Sequence, residues 1–300
     1  MDVRTLPDAG IASGNFEAAK ASVRTAVEDF LTQVFDAQAD NDVACAARYA
    51  ALGGGHRWRA LVAVAAGKIF RDDALRLVLP AAAGVELAHA ASLVLDDLPS
   101  MDNAAIRRGK PCAHRVFAPW AVDMAPVFLV TLAYRVSLDN PAVPATARIE
   151  AALELSKAGL AMIRGQVHDM RQDGDGEEER LFQCYQLKSA ALYGAAAKMG
   201  GIMTGATEED AASLHAAGVD LGFSYQLLDD VADVEAGIAE VGKERGMDKD
   251  KLTAIDLFGV EGARRRSREF QERSLEELER FGKEADWLRC LVTEASWKAN

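Results

Sequence analysis

The 300-residue chain lacks the cysteine pattern of a metal-binding or disulfide-stapled protein. Its four cysteines, Cys45, Cys112, Cys184 and Cys290, are scattered, with no CxxC pair among them. In a chain of this length they read as free thiols of a reducing compartment. It also lacks an excess of basic charge: the formal net charge of −12 argues against non-specific nucleic-acid binding, which needs a basic surface. The N-terminal stretch has no basic segment followed by an apolar one, so no signal peptide is expected. The longest apolar run, around Ala81 to Leu95, is too short for a membrane span and carries Glu86 and His89. These gaps together predict a cytoplasmic protein with no membrane span and no nucleic-acid partner. Any anionic substrate must be held by local cations or metal, against the field of the whole molecule.

Period-two alternation of β-branched residues is scarce as well, while alanine is nearly everywhere. That pattern predicts an all-α protein. Helices are expected over residues 15–38, 41–51, 57–70, 74–97, 117–136, 146–171, 178–202, 207–236 and 261–283, with a shorter one near the C-terminus. Thr207 with Asp210 three residues on resembles a weak capping box. No Ser/Gly-rich linker or shift in composition divides the chain, so one domain is expected over residues 1–300, and with half its residues hydrophobic it can bury a sizeable core. The longest stretch without a helical pattern, residues 237–253, reads as a loop.

Two acidic clusters interrupt this background. In LVLDDLPSMDNAAIRRGK, residues 93–110, an apolar helix runs into Asp96 and Asp97; Pro99 disfavours helix at Leu98, so both acids fall in a last turn and the loop can fold Asp102 back beside them. In YQLLDDVADVEAG, residues 225–237, Asp229 and Asp233 are i and i+4 on one helical face with Asp230 beside them, and Gly237 reads as the helix stop. Like charges at that spacing destabilise a helix, and carboxylates near a C-terminus face the negative end of its dipole. One such cluster reads equally well as a solvated surface feature. Two, each preceded by an apolar helix and flanked by cations, point to a bound cation. Ligands that are all oxygen, with no His or Cys nearby, favour Mg²⁺, which commonly bridges a few carboxylates to substrate phosphates.

These motifs resemble those of the trans-isoprenyl diphosphate synthases. DDLPSMD followed by RRGKP is similar to that family's first aspartate-rich motif, and DDVAD to its second. GGHRWR (54–59), GQVHD (165–169), KS (188–189), YQLLDD and GKERGMD (242–248) follow the family's remaining motifs in order, over about Gly54 to Thr253. The resemblance implies an isoprenoid-synthase fold, a bundle of ten or more helices around a prenyl-binding cavity. It also implies condensation of an allylic diphosphate with isopentenyl diphosphate, Mg²⁺ as cofactor, and a homodimer. By the same resemblance Asp96, Asp102 and Asp229 would bind metal, and Asp97, Asp230 and Asp233 would orient its waters or complete its coordination. Arg107, Lys188 and Lys243, helped by Ser189, Gln226 and Lys251, would hold the allylic diphosphate. Arg59, His89 and Arg108 would hold isopentenyl diphosphate, with His56 where the family has lysine. Lys188 and the three metal-binding aspartates would carry the catalysis. Gln166 and Asp169 read as a hydrogen-bonding pair that shapes the pocket.

The chain departs from the family pattern at four places. His56 replaces lysine, Ala60 replaces a proline, Pro126-Val127 stands where the family has Gly-Asp, and the loop after Asp248 reaches Lys251 and Thr253 about two residues early. Below Asp96 the fifth and fourth preceding residues are Ala91 and Ser92; the resemblance implies that a bulky aromatic at the fifth position would tend to stop growth at fifteen carbons and that small residues admit another unit. Room for a further five-carbon unit adds up to about 4 kcal/mol of burial, at roughly 0.8 per carbon. A C20 product, geranylgeranyl diphosphate, is therefore expected. Farnesyl diphosphate synthesis, a class I terpene cyclase and a non-catalytic regulatory subunit are the alternatives; a cyclase seldom carries RRG, and a regulatory subunit typically loses aspartates.

Overall fold

The computed structural model describes residues 16–171, 176–239 and 252–294. Among these, eleven α-helices run in the order α1 (Phe16–Asp36), α2 (Asp42–Ala51), α3 (Trp58–Lys68), α4 (Ala74–Asp96), α5 (Pro119–Leu138), α6 (Ala145–Arg171), α7 (Glu177–Tyr185), α8 (Ala191–Thr204), α9 (Glu208–Ala239), α10 (Ala254–Leu278) and α11 (Asp286–Glu294). The all-α expectation is met. The exception is a two-residue hairpin, β1 (Ile106–Arg107) with β2 (Lys110–Pro111), closed by Arg108 and Gly109, both at positive φ. Two central residues of that kind make a type I′ turn, whose twist suits a tight hairpin.

α4 is the axis of the bundle. Its residues are apolar on every side, as a helix surrounded by others requires, and it packs against α3, α5 and α8. Gly84 sets the closest approach: a Cβ there would meet the Ser137 hydroxyl at 2.2 Å and the Ala133 carbonyl at 2.8 Å, so α5 lies directly on α4. α4 and α5 are both long and apolar enough to cross a membrane, but the most apolar stretch of α4 is 78% buried inside the protein and that of α5 only 50%.

Three expected boundaries differ. Residues 178–202 are not one α-helix: a π-helical turn, Gln186–Ala190, separates α7 from α8. Such turns often sit at functional sites, and this one holds Lys188 and Ser189. Gly237 does not stop α9, which continues to Ala239; a lone glycine costs a helix only about 1 kcal/mol. Asp229 and Asp233 therefore lie well inside that helix rather than in its last turn. Finally, α10 begins at Ala254, earlier than expected, because Thr253 and Asp256 form a reciprocal capping box, and it ends at Leu278 before a 3₁₀ segment. The weaker cap expected at Thr207 is present: the Asp210 amide donates to the Thr207 hydroxyl at 3.1 Å.

Candidate active site

The loop after α4 folds as its proline predicts. Asp97 caps the helix, and the Asp102 amide donates to the Asp96 carbonyl at 2.9 Å, bringing Asp102 back beside the helix end. Asp96 and Asp102 both line a cavity of about 990 Å³. Asp97 does not line it. Its carboxylate is buried against Arg107, whose Nη2 lies 2.7 Å from one oxygen and whose Nε lies 2.9 Å from both.

The second cluster faces the first across the cavity. Asp229 and Asp230 line it, while Asp233 is exposed one turn further along α9. Asp230 is held from two other helices: the Tyr185 hydroxyl at the end of α7 donates to its Oδ2, and the Ala254 amide at the start of α10 donates to the same oxygen at 2.8 Å. Gln226 Nε2 reaches Asp230 Oδ1 at 3.3 Å, and Ser189 Oγ donates to Gln226 Oε1 at 2.6 Å. Lys188 stands between α4 and α6, 2.8 Å from Asp169 and 3.8 Å from Asp96. Among the described residues, no three metal-ligating side chains converge into a ready-made cage. The donors are nonetheless oxygens on opposite walls, which fits Mg²⁺, an ion that keeps several waters and takes part of its coordination from substrate phosphates.

A cationic wall stands next to the acids. Arg59, His89, Arg107 and Arg108 all line the cavity. The Arg59 guanidinium lies 4.5 Å over the Tyr193 ring, and its Nε is buried with no hydrogen-bond partner among the described residues. A buried, unpaired donor facing a cavity is suited to an anionic ligand. Burial, then Arg59 and Arg108, pushes the His89 pKa well below its ordinary value, so the imidazole is neutral at pH 7. Arg108 donates to the Gly54 carbonyl, tying the RRG turn to the GGHRWR loop.

The expected site residues do not all meet here. His56 is exposed and does not line the cavity; its carbonyl accepts from Arg24 Nε at 3.0 Å. Lys243, Lys251 and the GKERGMD motif lie outside the described residues. One residue that the sequence did not single out is Arg57. It is buried at positive φ, with Nε 2.6 Å from Glu28, Nη2 2.7 Å from the Ala51 carbonyl and Nη1 3.5 Å from Glu86. The other Glu86 oxygen accepts from the Ala60 amide at 3.0 Å, supplying the cap that α3 does not get from its own N-cap side chain. Tyr185 was missed too, because its partners are 45 and 69 residues away.

Below the polar rim the cavity is apolar. Ala88, Ala91 and Ser92 form the α4 wall, Val130 and Tyr134 the α5 wall, and Leu155, Gly159, Met162 and Ile163 the α6 wall. Ser92 turns its hydroxyl to the His89 carbonyl of its own helix, at 2.8 Å, so it does not add a free polar group to this wall. At 1.5 Å per residue, about 21 Å of α6 separates Asp169 at the rim from Leu155 at depth.

Residues 41–291 match the polyprenyl synthetase family. Over 264 residues the chain is 36% identical to geranylgeranyl pyrophosphate synthase 11, chloroplastic, of Arabidopsis thaliana, covering 85% of this chain and 73% of that one. Over 257 residues it is 32% identical to a geranylgeranyl diphosphate synthase of Pantoea ananas, covering 83% of each. Among solved structures, an FPP/GFPP synthase from Zymomonas mobilis superposes with a TM-score of 0.81 at 28% identity, over 94% of this chain and 99% of that one. A geranylgeranyl pyrophosphate synthetase from Pyrococcus horikoshii gives 0.83 at 24% identity, over 94% and 97%, a likeness of fold.

Proposed function

The chain belongs to the polyprenyl synthetase family, and from that premise we propose that it condenses isopentenyl diphosphate with an allylic diphosphate to make geranylgeranyl diphosphate, releasing diphosphate. The carrying observation is one cavity with acids and cations at its rim and a deep apolar shaft below them. An extended geranylgeranyl chain, with C–C bonds near 1.5 Å, spans roughly 19–20 Å. The shaft, about 21 Å along α6, matches that length. The small residues Ala88, Ala91 and Ser92 leave it open where an aromatic ring would close it.

Asp96 and Asp102 on one side and Asp229 on the other would hold Mg²⁺, with Asp97, Asp230 and Asp233 behind them. The bound ions would neutralise the charge that builds on the departing diphosphate. The protein itself does the rest. Lys188 and Arg107 fix the allylic diphosphate at the rim, aided by Gln226 and Ser189. Arg59, Arg108 and His89 receive the isopentenyl diphosphate; a neutral imidazole is a hydrogen-bond donor there, and its neighbouring arginines supply the charge. The apolar walls exclude water from the prenyl cation, so the double bond of isopentenyl diphosphate is its available nucleophile. The released diphosphate would take the proton.

We propose further that the protein is a cytoplasmic homodimer. Trp120, Met124 and Val127 on α5, and Ile149 and Leu153 on α6, are half or more exposed and line no part of the cavity. A second copy of the same face would cover them. The four free thiols suit a reducing compartment.

One assay tests the central reading. The chain is incubated with Mg²⁺, labelled isopentenyl diphosphate and dimethylallyl, geranyl or farnesyl diphosphate, and the dephosphorylated product is chromatographed. Mainly geranylgeraniol is expected, shifting toward farnesol in Ala91→Phe. Mainly farnesol from the wild type overturns the C20 assignment. Hydrocarbon formed without isopentenyl diphosphate indicates a cyclase, and no turnover at all a binding protein.

A further inference from the structure

The α6 wall contains a glycine that packing does not require. Gly165 on the same helix has to be a glycine, because a Cβ there would lie 2.7 Å from the Lys188 backbone nitrogen. Gly159 is different. Apart from its own helix backbone and chain neighbours, a Cβ built on it meets no atom of the described residues within 4 Å, and its backbone is ordinary helix with no positive φ. Glycine in a helix interior is less favourable than any residue but proline, so neither local structure nor close approach accounts for it. What it does is leave space.

That space is in the cavity. Gly159 lines it, as do Ser156 three residues before and Met162 and Ile163 three and four after, so Gly159 sits within the cavity-facing stripe of the helix. Its depth matters as much as its direction. It lies about 15 Å of helix below Asp169, the residue that holds Lys188 at the rim. Three extended isoprene units, with C–C bonds near 1.5 Å, reach roughly 15 Å. Gly159 is therefore level with the point where a fourth unit begins, deeper than Ala91, which is about 7.5 Å of helix below Asp96.

We propose that Gly159 is a specificity-determining position for product length, acting from α6 as Ala91 and Ser92 act from α4: its missing side chain is the opening through which the fourth five-carbon unit passes. The inference rests on the reading of the chain as a C20 synthase and adds a wall to it. Because the position lies far below the diphosphates, a larger side chain there leaves the first condensation alone and stops the last.

The test uses the full-length protein with Mg²⁺, isopentenyl diphosphate and dimethylallyl diphosphate, comparing wild type with Gly159→Ala, Gly159→Leu and Gly159→Phe. Wild-type product length is read first; a wild type that makes no C20 overturns the functional reading before any variant is considered. With a C20 wild type, Gly159→Phe is expected to raise the C15:C20 ratio by at least about tenfold, the factor that about 1.4 kcal/mol supplies. The rate of forming geranyl diphosphate from dimethylallyl diphosphate should stay within about threefold of wild type. Gly159→Ala should keep C20 as its main product and raise the melting temperature by roughly 2–4 °C, since helix propensity improves and nothing is displaced. Where Gly159→Phe fails to fold, Gly159→Leu gives the same readout in milder form. An unchanged C15:C20 ratio in folded Gly159→Phe or Gly159→Leu overturns the proposal. So does a Gly159→Ala variant that melts below wild type, because packing would then explain the glycine.

Discussion

Arg107 grips Asp97 with two nitrogens, its Nη2 2.7 Å from one carboxylate oxygen and its Nε 2.9 Å from both. The second aspartate of the first acidic cluster thus points away from the cavity that Asp96 and Asp102 line. Its carboxylate fixes the direction in which Arg107, which does line the cavity, presents its guanidinium.

That arrangement separates two kinds of aspartate by experiment. Asp97→Asn removes a charge-assisted pair worth about 1.5–3 kcal/mol. The KM for allylic diphosphate should rise on the order of tenfold, while the Mg²⁺ concentration giving half-maximal rate should stay within about threefold. Asp96→Asn should shift the Mg²⁺ dependence itself. An equal shift from both variants would place Asp97 on the metal.

Tyr185, Asp230 and the first amide of α10 form the second such device. The tyrosine hydroxyl and the Ala254 amide share one carboxylate oxygen, so Asp230 joins α7, α9 and α10. Tyr185→Phe is expected to cost about 1–2 kcal/mol in denaturant unfolding. Added to Asp230→Asn it should cost much less than the sum of the two, a coupling of about 1 kcal/mol. Strict additivity would show that the contact carries no energy.

How legible was all this in the chain? The folding-back of Asp102 was readable because its cause is local: Pro99 ends the helix three residues earlier. The facing of Asp96 and Asp229 was readable only through the paired motifs. Asp97 was not, since nothing in DDLPSMD says that the arginine ten residues on will claim it. The π turn under Lys188 and Ser189 left no local signal either, as α7 and α8 read as one continuous helical pattern. Gly237 misled for a physical reason. Glycine weakens a helix without ending it, and packing of α9 against α8 and α10 outweighs that weakness.

His56, where the family has lysine, is exposed and does not line the cavity. Unlike lysine, a histidine is not a permanent cation in the physiological pH range. His56→Lys supplies a permanent charge and should lower the KM for isopentenyl diphosphate several-fold with kcat unchanged. An unaltered KM would mean the position does not sense that substrate.

Asp220 gives a pH signature that owes nothing to catalysis. It is buried on α9, and burial raises its pKa to about 6 although the Arg273 guanidinium, 2.9 Å away, pulls it down. A carboxyl whose folded pKa is raised contributes most below its ordinary value of 3.8 and loses that contribution as pH climbs through 6. The loss approaches about 2–3 kcal/mol at pH 8. Asp220→Asn, which cannot ionise, should therefore gain on wild type in melting temperature between pH 4 and pH 7. A difference that does not vary with pH would refute the burial penalty.

Arg57 of the buried Arg57–Glu86 pair lies two residues along the chain from Arg59, which lines the cavity. Glu86 sits inside the apolar run of α4 with a side chain only 4% exposed, and Arg57 is 3% exposed; Glu28, the other partner of Arg57, is 38% exposed. Breaking a buried pair strands a charge and costs about 3–5 kcal/mol, whereas exposed partners are worth about 1 or less. Glu86 also caps α3 through the Ala60 amide. The order of destabilisation by urea should therefore be Glu86→Leu, which loses both charge and cap, then Glu86→Gln, which keeps an acceptor for the cap, then Glu28→Gln. Because Arg59 follows Arg57 by two residues and reaches the cavity from the first turn of α3, Glu86→Gln should also raise the KM for isopentenyl diphosphate more than that for the allylic substrate. Equal effects of Glu28→Gln and Glu86→Gln on stability would show that water, not Glu86, carries the charge of Arg57. Equal changes in the two KM values would show that the cap steadies the whole bundle rather than this one loop.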